Sequence, residues 1–183
     1  MSGYRRNWVE GGTYFFTVVS ASRRPIFAGD AARAHLRSAI DSIRQRFPFA
    51  IEAFVLLPDH LHTIWTLPPG DAKYATRWKR IKEEFTVRFL VNGGTEAPVS
   101  ASRSRRGERG VWQRRYWEHT CDDADDFKHH LDYLHWNPVK HGLVTRVRDY
   151  PWSSFHRYVA LGEYDIDWGS ADPCPRYHTP EWE

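Results

Sequence analysis

His60 and His62 are one residue apart in the run Pro58-Asp-His60-Leu61-His62, and that spacing limits what they can do. In an extended strand, side chains two apart share a face, about 6.6–7 Å apart along the chain. Both imidazoles are therefore expected to point the same way, with Leu61 entering the core behind them. Two imidazoles so placed can hold one divalent cation. A His-x-His pair taken alone also fits two exposed histidines at a sheet edge.

A second group lies in His129-His-Leu-Asp-Tyr133-Leu-His-Trp-Asn137-Pro138. Residues four apart on a helix are stacked neighbours, so Tyr133 and Asn137 share a face, with His129 and His130 one turn earlier. The expected face is turned away from the stripe of Phe127, Leu131 and Leu134. There the Asn137 amide oxygen can complete a metal shell while the Tyr133 phenol faces a substrate. The alternative is an ordinary half-buried tyrosine and a helix-ending asparagine. The residue before proline is pushed away from helical angles, which puts Asn137 on a terminal turn.

The elements around these groups follow from periodicity. Thr13 to Ser20 is β-branched and aromatic, a strand. Asp30 can cap a helix carried by Leu36, Ala39, Ile40, Ile43 and Phe47, which Pro48 ends. Phe54–Leu57 and His60–Leu67 make two strands joined by Pro58–Asp59, an antiparallel hairpin. Tyr74, Trp78, Ile81, Phe85 and Phe89 recur at gaps of three and four, a second amphipathic helix. Residues 92–110 read as a mobile basic loop, Val111–Thr120 as a fourth strand, and Asp122–Asn137 as a third helix that Pro138 stops or kinks. This order predicts an α+β fold of the ferredoxin-like, split βαβ kind. It is an antiparallel sheet with helices on one face and an added C-terminal helix carrying Tyr133. One domain over 1–150 is expected, with 151–183 a tail that packs over it.

Composition sets bounds. The 183 residues suit one domain, and the net charge of +3 is mild, so the placing of charge matters more than its sum. Arg77, Lys79, Arg80, Arg114 and Arg115 are candidates for tracking phosphates, and Trp112 for stacking on an extruded base. Each can equally be a solvated charge or a buried ring. The 2 cysteines exclude a disulfide framework or a four-thiolate zinc site. With no apolar leader or membrane-length run, a cytoplasmic protein is expected. No Gly-x-x-x-x-Gly-Lys loop is present, so nucleotide-driven chemistry is not indicated.

Leu57-Pro-Asp-His-Leu-His62, followed by His129-His-Leu-Asp-Tyr-Leu-His-Trp-Asn-Pro-Val-Lys-His-Gly142, resembles the HUH single-tyrosine transposases. It is more closely similar to their REP-associated branch, bacterial enzymes tied to repetitive extragenic palindromes. Tyr4-Arg-Arg6, Gly11-Gly-Thr-Tyr-Phe-Phe-Thr17, Arg115-Tyr-Trp-Glu-His119 and Trp152-Ser-Ser-Phe-His156 extend the likeness from Tyr4 to about Trp168. The resemblance implies a metal-dependent transposase acting on single-stranded DNA with palindromic hairpins, near the bacterial nucleoid. It implies Tyr133 as the nucleophile that forms a 5′-phosphotyrosine link, and His60, His62 and Asn137 as ligands of Mg²⁺ or Mn²⁺. Tyr4, Arg5 and Arg6 would meet a short sequence tag at the hairpin foot. A monomer is expected, with a swapped dimer as the known variation. A hairpin-binding protein without activity and a water-using metal phosphodiesterase are the alternatives.

Overall fold

The structure, a computed structural model, describes residues 7–169. Tyr4, Arg5 and Arg6, expected at a DNA tag, lie outside the described residues.

Strand β1 (Thr13–Val19) is buried along nearly its whole length because it is central in the sheet. With β2 (Ala50–Leu56), β3 (His60–Thr66) and β4 (Trp117–Thr120) it forms a four-stranded antiparallel sheet of order β2-β3-β1-β4. Alternation along β1 divides the interior in two. Tyr14, Phe16 and Val18 join Leu61 and Trp65 in one core, against helices α1 (Asp30–Arg46) and α2 (Tyr74–Val91). Phe15 and Ile64 face the opposite core. There they meet helix α4 (Ala124–Lys140), the added helix, whose Leu131, Tyr133 and Leu134 close that side.

Several local expectations change. The N-cap of α1 is Gly29, and Asp30 sits within the first turn. Residues 92–110 are not a free basic loop. They contain a short helix α3 (Ala101–Arg105), and Glu108 gathers Arg103, Arg106 and Arg114 while Glu96 takes Arg109. The two carboxylates are few beside the arginines, but each is placed among them. The fourth strand is shorter than its aromatic run, because Trp112 leaves the sheet after a single bridge to Ser20. Helix α4 runs through Pro138 to Lys140, past the point where proline was expected to interrupt it. It ends at Gly142 (φ 66°), where Gly142 N–H donates to Val139 O and Leu143 N–H to Pro138 O. That reciprocal closure takes up the last carbonyls of the helix, and the positive φ suits glycine.

Residues 151–169 pack onto the sheet. Ser153 bridges Val55, and Tyr150 Oη donates to Leu56 O at 2.6 Å. Phe155 and Tyr158, on helix α5 (Phe155–Ala160), join the α4-side core with Tyr164. No helix among the described residues is long and apolar enough to cross a membrane.

Candidate active site

The period of two holds along β3. His60 and His62 both face α4, their ring centroids 5.0 Å apart, while Leu61 is fully buried on the other side. The exposed-edge alternative fails, since β3 lies between β2 and β1 and the two imidazoles are 1% and 0% exposed.

Each ring is oriented by a partner on its Nδ1. His60 Nδ1 lies 2.6 Å from Asp59 Oδ1, and His62 Nδ1 lies 2.8 Å from Thr17 Oγ1. Thr17 reaches His62 because β1 pairs with β3 in the register Thr17 with His62. Burial pushes the Asp59 carboxyl up, but the hydrogen bond and charge of His60, with Arg23 behind, outweigh it and hold it below the usual carboxylate range. Fixing Nδ1 through such a partner is the arrangement typical of metal-binding histidines.

Helix α4 supplies the rest. Tyr133 packs with its ring 5.4 Å from His62 and 6.0 Å from Phe15. It is 4% exposed and belongs to the same core as Leu131 and Leu134, so its face is not turned away from the apolar stripe. The helix is covered over a wider arc than a three-residue stripe implies. Asn137 is fully buried, and neither Oδ1 nor Nδ2 has a hydrogen-bond partner. His60 Nε2 is likewise buried without one. Buried polar atoms left unpartnered are uncommon and costly. An imidazole nitrogen and an amide oxygen are both ligands for Mn²⁺ or Mg²⁺, so the residues present fit a divalent ion. Among the described residues, His119, Asp126 and His130 form another metal-compatible group. There Asp126 already bonds His119 Nε2 at 2.8 Å and pairs with His130 Nδ1 at 3.1 Å, so those ligand atoms are satisfied without an ion.

Three contributors lie outside the residues that the sequence reading assigned to the site. Thr17 is 45 residues from His62, and only strand register joins them. Asp59 adjoins His60 in the motif, so adjacency was its signal. Lys140 lies beyond the proline, and its Nζ donates to Tyr133 Oη at 3.1 Å.

The expected DNA contacts divide. Arg77, expected at phosphates, is 2% exposed, and its guanidinium donates to Phe47 O, Pro48 O and Asp71. It closes the end of α1 from inside. Trp112, expected to stack on a base, is 5% exposed against Phe27 and Phe85. Lys79, Arg80, Arg114 and Arg115 are exposed. Lys79 and Arg114 line a groove of about 850 Å³ together with Lys82, Arg103 and Tyr116.

Comparisons with known proteins find relatives over most of the chain. A family model described as IS200-like transposase matches residues 9–137. The chain is 44% identical over 168 residues to a REP-associated tyrosine transposase of Escherichia coli (strain K12), covering 92% of this chain and 91% of that protein. It is 43% identical over 169 residues to a putative REP-associated tyrosine transposase of Haemophilus influenzae, covering 92% and 94%. Among solved structures it is similar to a REP-associated tyrosine transposase bound to a REP hairpin. That match has a TM-score of 0.75 and 40% identity over 98% of this chain and 100% of the other.

Proposed function

The chain belongs to the IS200-like transposase family, enzymes that cut and rejoin DNA, and on that premise we propose that it acts on single-stranded DNA carrying palindromic hairpins. The proposed reaction passes through a 5′-phosphotyrosine on Tyr133. One observation carries the reading: the Tyr133 ring is 5.4 Å from that of His62, whose ring is 5.0 Å from that of His60, and Asn137, one helical turn beyond Tyr133, is buried with an unpartnered amide. The REP hairpin held by the structural relative supports the substrate class.

In this mechanism His60, His62 and Asn137 would hold Mg²⁺ or Mn²⁺. When bound, the ion would polarise the scissile phosphate and stabilise charge developing on it. The protein contributes position. Asp59 and Thr17 fix the imidazoles, and α4 holds the phenol beside them, so attack begins from a set geometry. The Tyr133 Oη–P bond forms as the P–O3′ bond breaks, and the phenolic proton is balanced by one taken up on the departing 3′-oxygen. One phosphodiester replaces another, so the step reverses when a 3′-hydroxyl attacks the phosphotyrosine. At 4% exposure, Tyr133 reaches a phosphate only when the groups over it yield locally. Lys79, Arg80, Arg114 and Arg115 are the proposed phosphate contacts on the surface. The chain works as a monomer in the cytoplasm, with the catalytic domain extending to residue 150 and the described part of the tail, 151–169, packed upon it.

The test is incubation with a hairpin oligonucleotide and MnCl₂, followed by denaturing gel analysis for a protein–DNA adduct. Wild type should form the adduct, and Tyr133→Phe should lose it while still binding the hairpin. Cleavage that persists in Tyr133→Phe would replace this reading with a water-using phosphodiesterase. Binding without cleavage by wild type in either metal would leave a hairpin-binding protein.

A further inference from the structure

We propose that Lys140 is a catalytic residue, whose ammonium stabilises negative charge on the Tyr133 oxygen both when that oxygen attacks and when it leaves. The proposal rests on the phosphotyrosine reading above. Lys140 Nζ lies 3.1 Å from Tyr133 Oη and 4.9 Å from the ring centroid, so it meets the reacting atom directly. An ammonium donates and cannot accept. Its hydrogen bond therefore falls on an Oη lone pair, and the phenolic proton is directed elsewhere. The interaction survives loss of that proton and strengthens, because a charge-assisted hydrogen bond is stronger than a neutral one.

Helix geometry keeps the two residues together. Seven residues separate them, within about 20° of two full helical turns. Side chains on a helix lean toward its N-terminus, so a long lysine at the end of α4 reaches back over the preceding turns. This requires helix beyond Pro138, which is supplied by His141 N–H donating to Asn137 O at 3.0 Å and by the closure at Gly142. Lys140 also stands in the last turn, where a cation suits the negative end of the helix.

The chemical consequence differs between the two directions. In cleavage the Oη–P bond forms and the P–O3′ bond breaks; the phenolic proton passes to solvent, the departing 3′-oxygen takes one up from solvent, and Lys140 holds Oη throughout. In rejoining a 3′-hydroxyl forms its bond to phosphorus, giving its proton to solvent, and the P–Oη bond breaks, so charge accumulates on Oη in the transition state before Oη takes a proton back from solvent. Lys140 sits on the tyrosine side of the phosphorus in both steps and takes no proton in either. An interaction that grows toward the transition state raises rate more than binding. Loss of one such donor commonly costs about 10²–10³-fold. Lys140 is half-buried, so about 10–100-fold is the expectation.

The experiment is single-turnover kinetics with saturating hairpin DNA and MnCl₂, comparing wild type, Lys140→Met, Lys140→Gln and Lys140→Arg. Adduct formation and strand rejoining from isolated adduct are measured separately. Lys140→Met and Lys140→Gln should slow both steps about 10–100-fold with hairpin affinity little changed, while Lys140→Arg retains most of the rate. A 3′-S-phosphorothiolate substrate, whose sulfur leaves without protonation, should show the same defect in Lys140→Met. Rescue by that substrate would place Lys140 on the departing 3′-oxygen and overturn the proposal. Wild-type single-turnover rates in both neutral variants would also overturn it, whether or not their DNA affinity fell. If wild type itself forms no adduct, the phosphotyrosine reading fails first, and the two failures are distinguishable.

Discussion

Thr17 Oγ1 lies 2.8 Å from His62 Nδ1, so a hydroxyl on β1 decides which nitrogen of an imidazole on β3 is presented toward α4. Thr17→Val keeps the β-branched shape that the strand favours and removes only the hydroxyl. The expected result is a fall in Mn²⁺ affinity of about 10–100-fold, measured by isothermal titration, with the folded circular dichroism spectrum retained. Unchanged affinity would mean that Thr17 merely fills space.

The buried amide of Asn137 and the Nε2 of His60 have no hydrogen-bond partners, so a bound ion should stabilise the folded chain. At a hundredfold excess of Mn²⁺ over Kd the gain is about 2.7 kcal/mol, read as a rise in melting temperature of several degrees. Asn137→Ala and His60→Ala should melt near the metal-free wild type and gain much less from MnCl₂. Equal gains in all three proteins would place the ion elsewhere.

Arg77 is a structural cation. Its guanidinium holds Phe47 O and Pro48 O as well as Asp71 Oδ2 at 2.8 Å. Arg77→Ala should cost about 3 kcal/mol in urea unfolding, as expected when one partner of a buried charged network is removed. The hydrogen bond from Arg77 is the main reason that the Asp71 carboxyl sits below the usual carboxylate range. Because the folded value is the lower one, the unfolded chain takes up the proton first as pH falls. Asp71 therefore contributes stability above about pH 3.9, and that contribution is lost as pH falls through the folded value. Asp71→Asn should flatten the acid limb of the stability curve below pH 4, and an unaltered limb would show that Asp71 contributes nothing there.

The surface cations should behave differently from Arg77. Replacing Lys79, Arg114 or Arg115 by alanine should weaken hairpin binding evenly across sequences. Each replacement should lower the slope of log K against log salt by roughly 0.7–0.9 for every phosphate no longer neutralised. Arg77→Ala should leave that slope unchanged. Filter binding over a range of salt concentrations separates the two kinds of arginine.

Burial and the nearby Asp126 charge push the Cys121 thiol up to about 12. The thiolate is the reactive form, so the Cys121 peptide should remain unmodified when native protein is treated with iodoacetamide at pH 8. It should be labelled within minutes in denaturant, followed by peptide mass spectrometry. Rapid native labelling would show that β4 and the start of α4 open readily.

Local sequence determined a good deal. A period of two placed His60 and His62 on one face with Leu61 behind them, and helical spacing put Tyr133 and Asn137 on one helix, because both patterns depend only on backbone geometry within a few residues. The strand and helix order was enough for the ferredoxin-like arrangement.

What that local order could not supply was partnership across the chain. Burial of a charge or ring depends on groups far away in sequence: Arg77 is drawn inward by carbonyls at the end of α1, and Trp112 by Phe27 and Phe85. Thr17 meets His62 only through strand register, and Lys140 meets Tyr133 only because α4 continues past a proline that by itself favours an ending. Periodicity says which side chains share a face; only tertiary packing decides what that face meets, since contact energy is set by whatever surface arrives opposite.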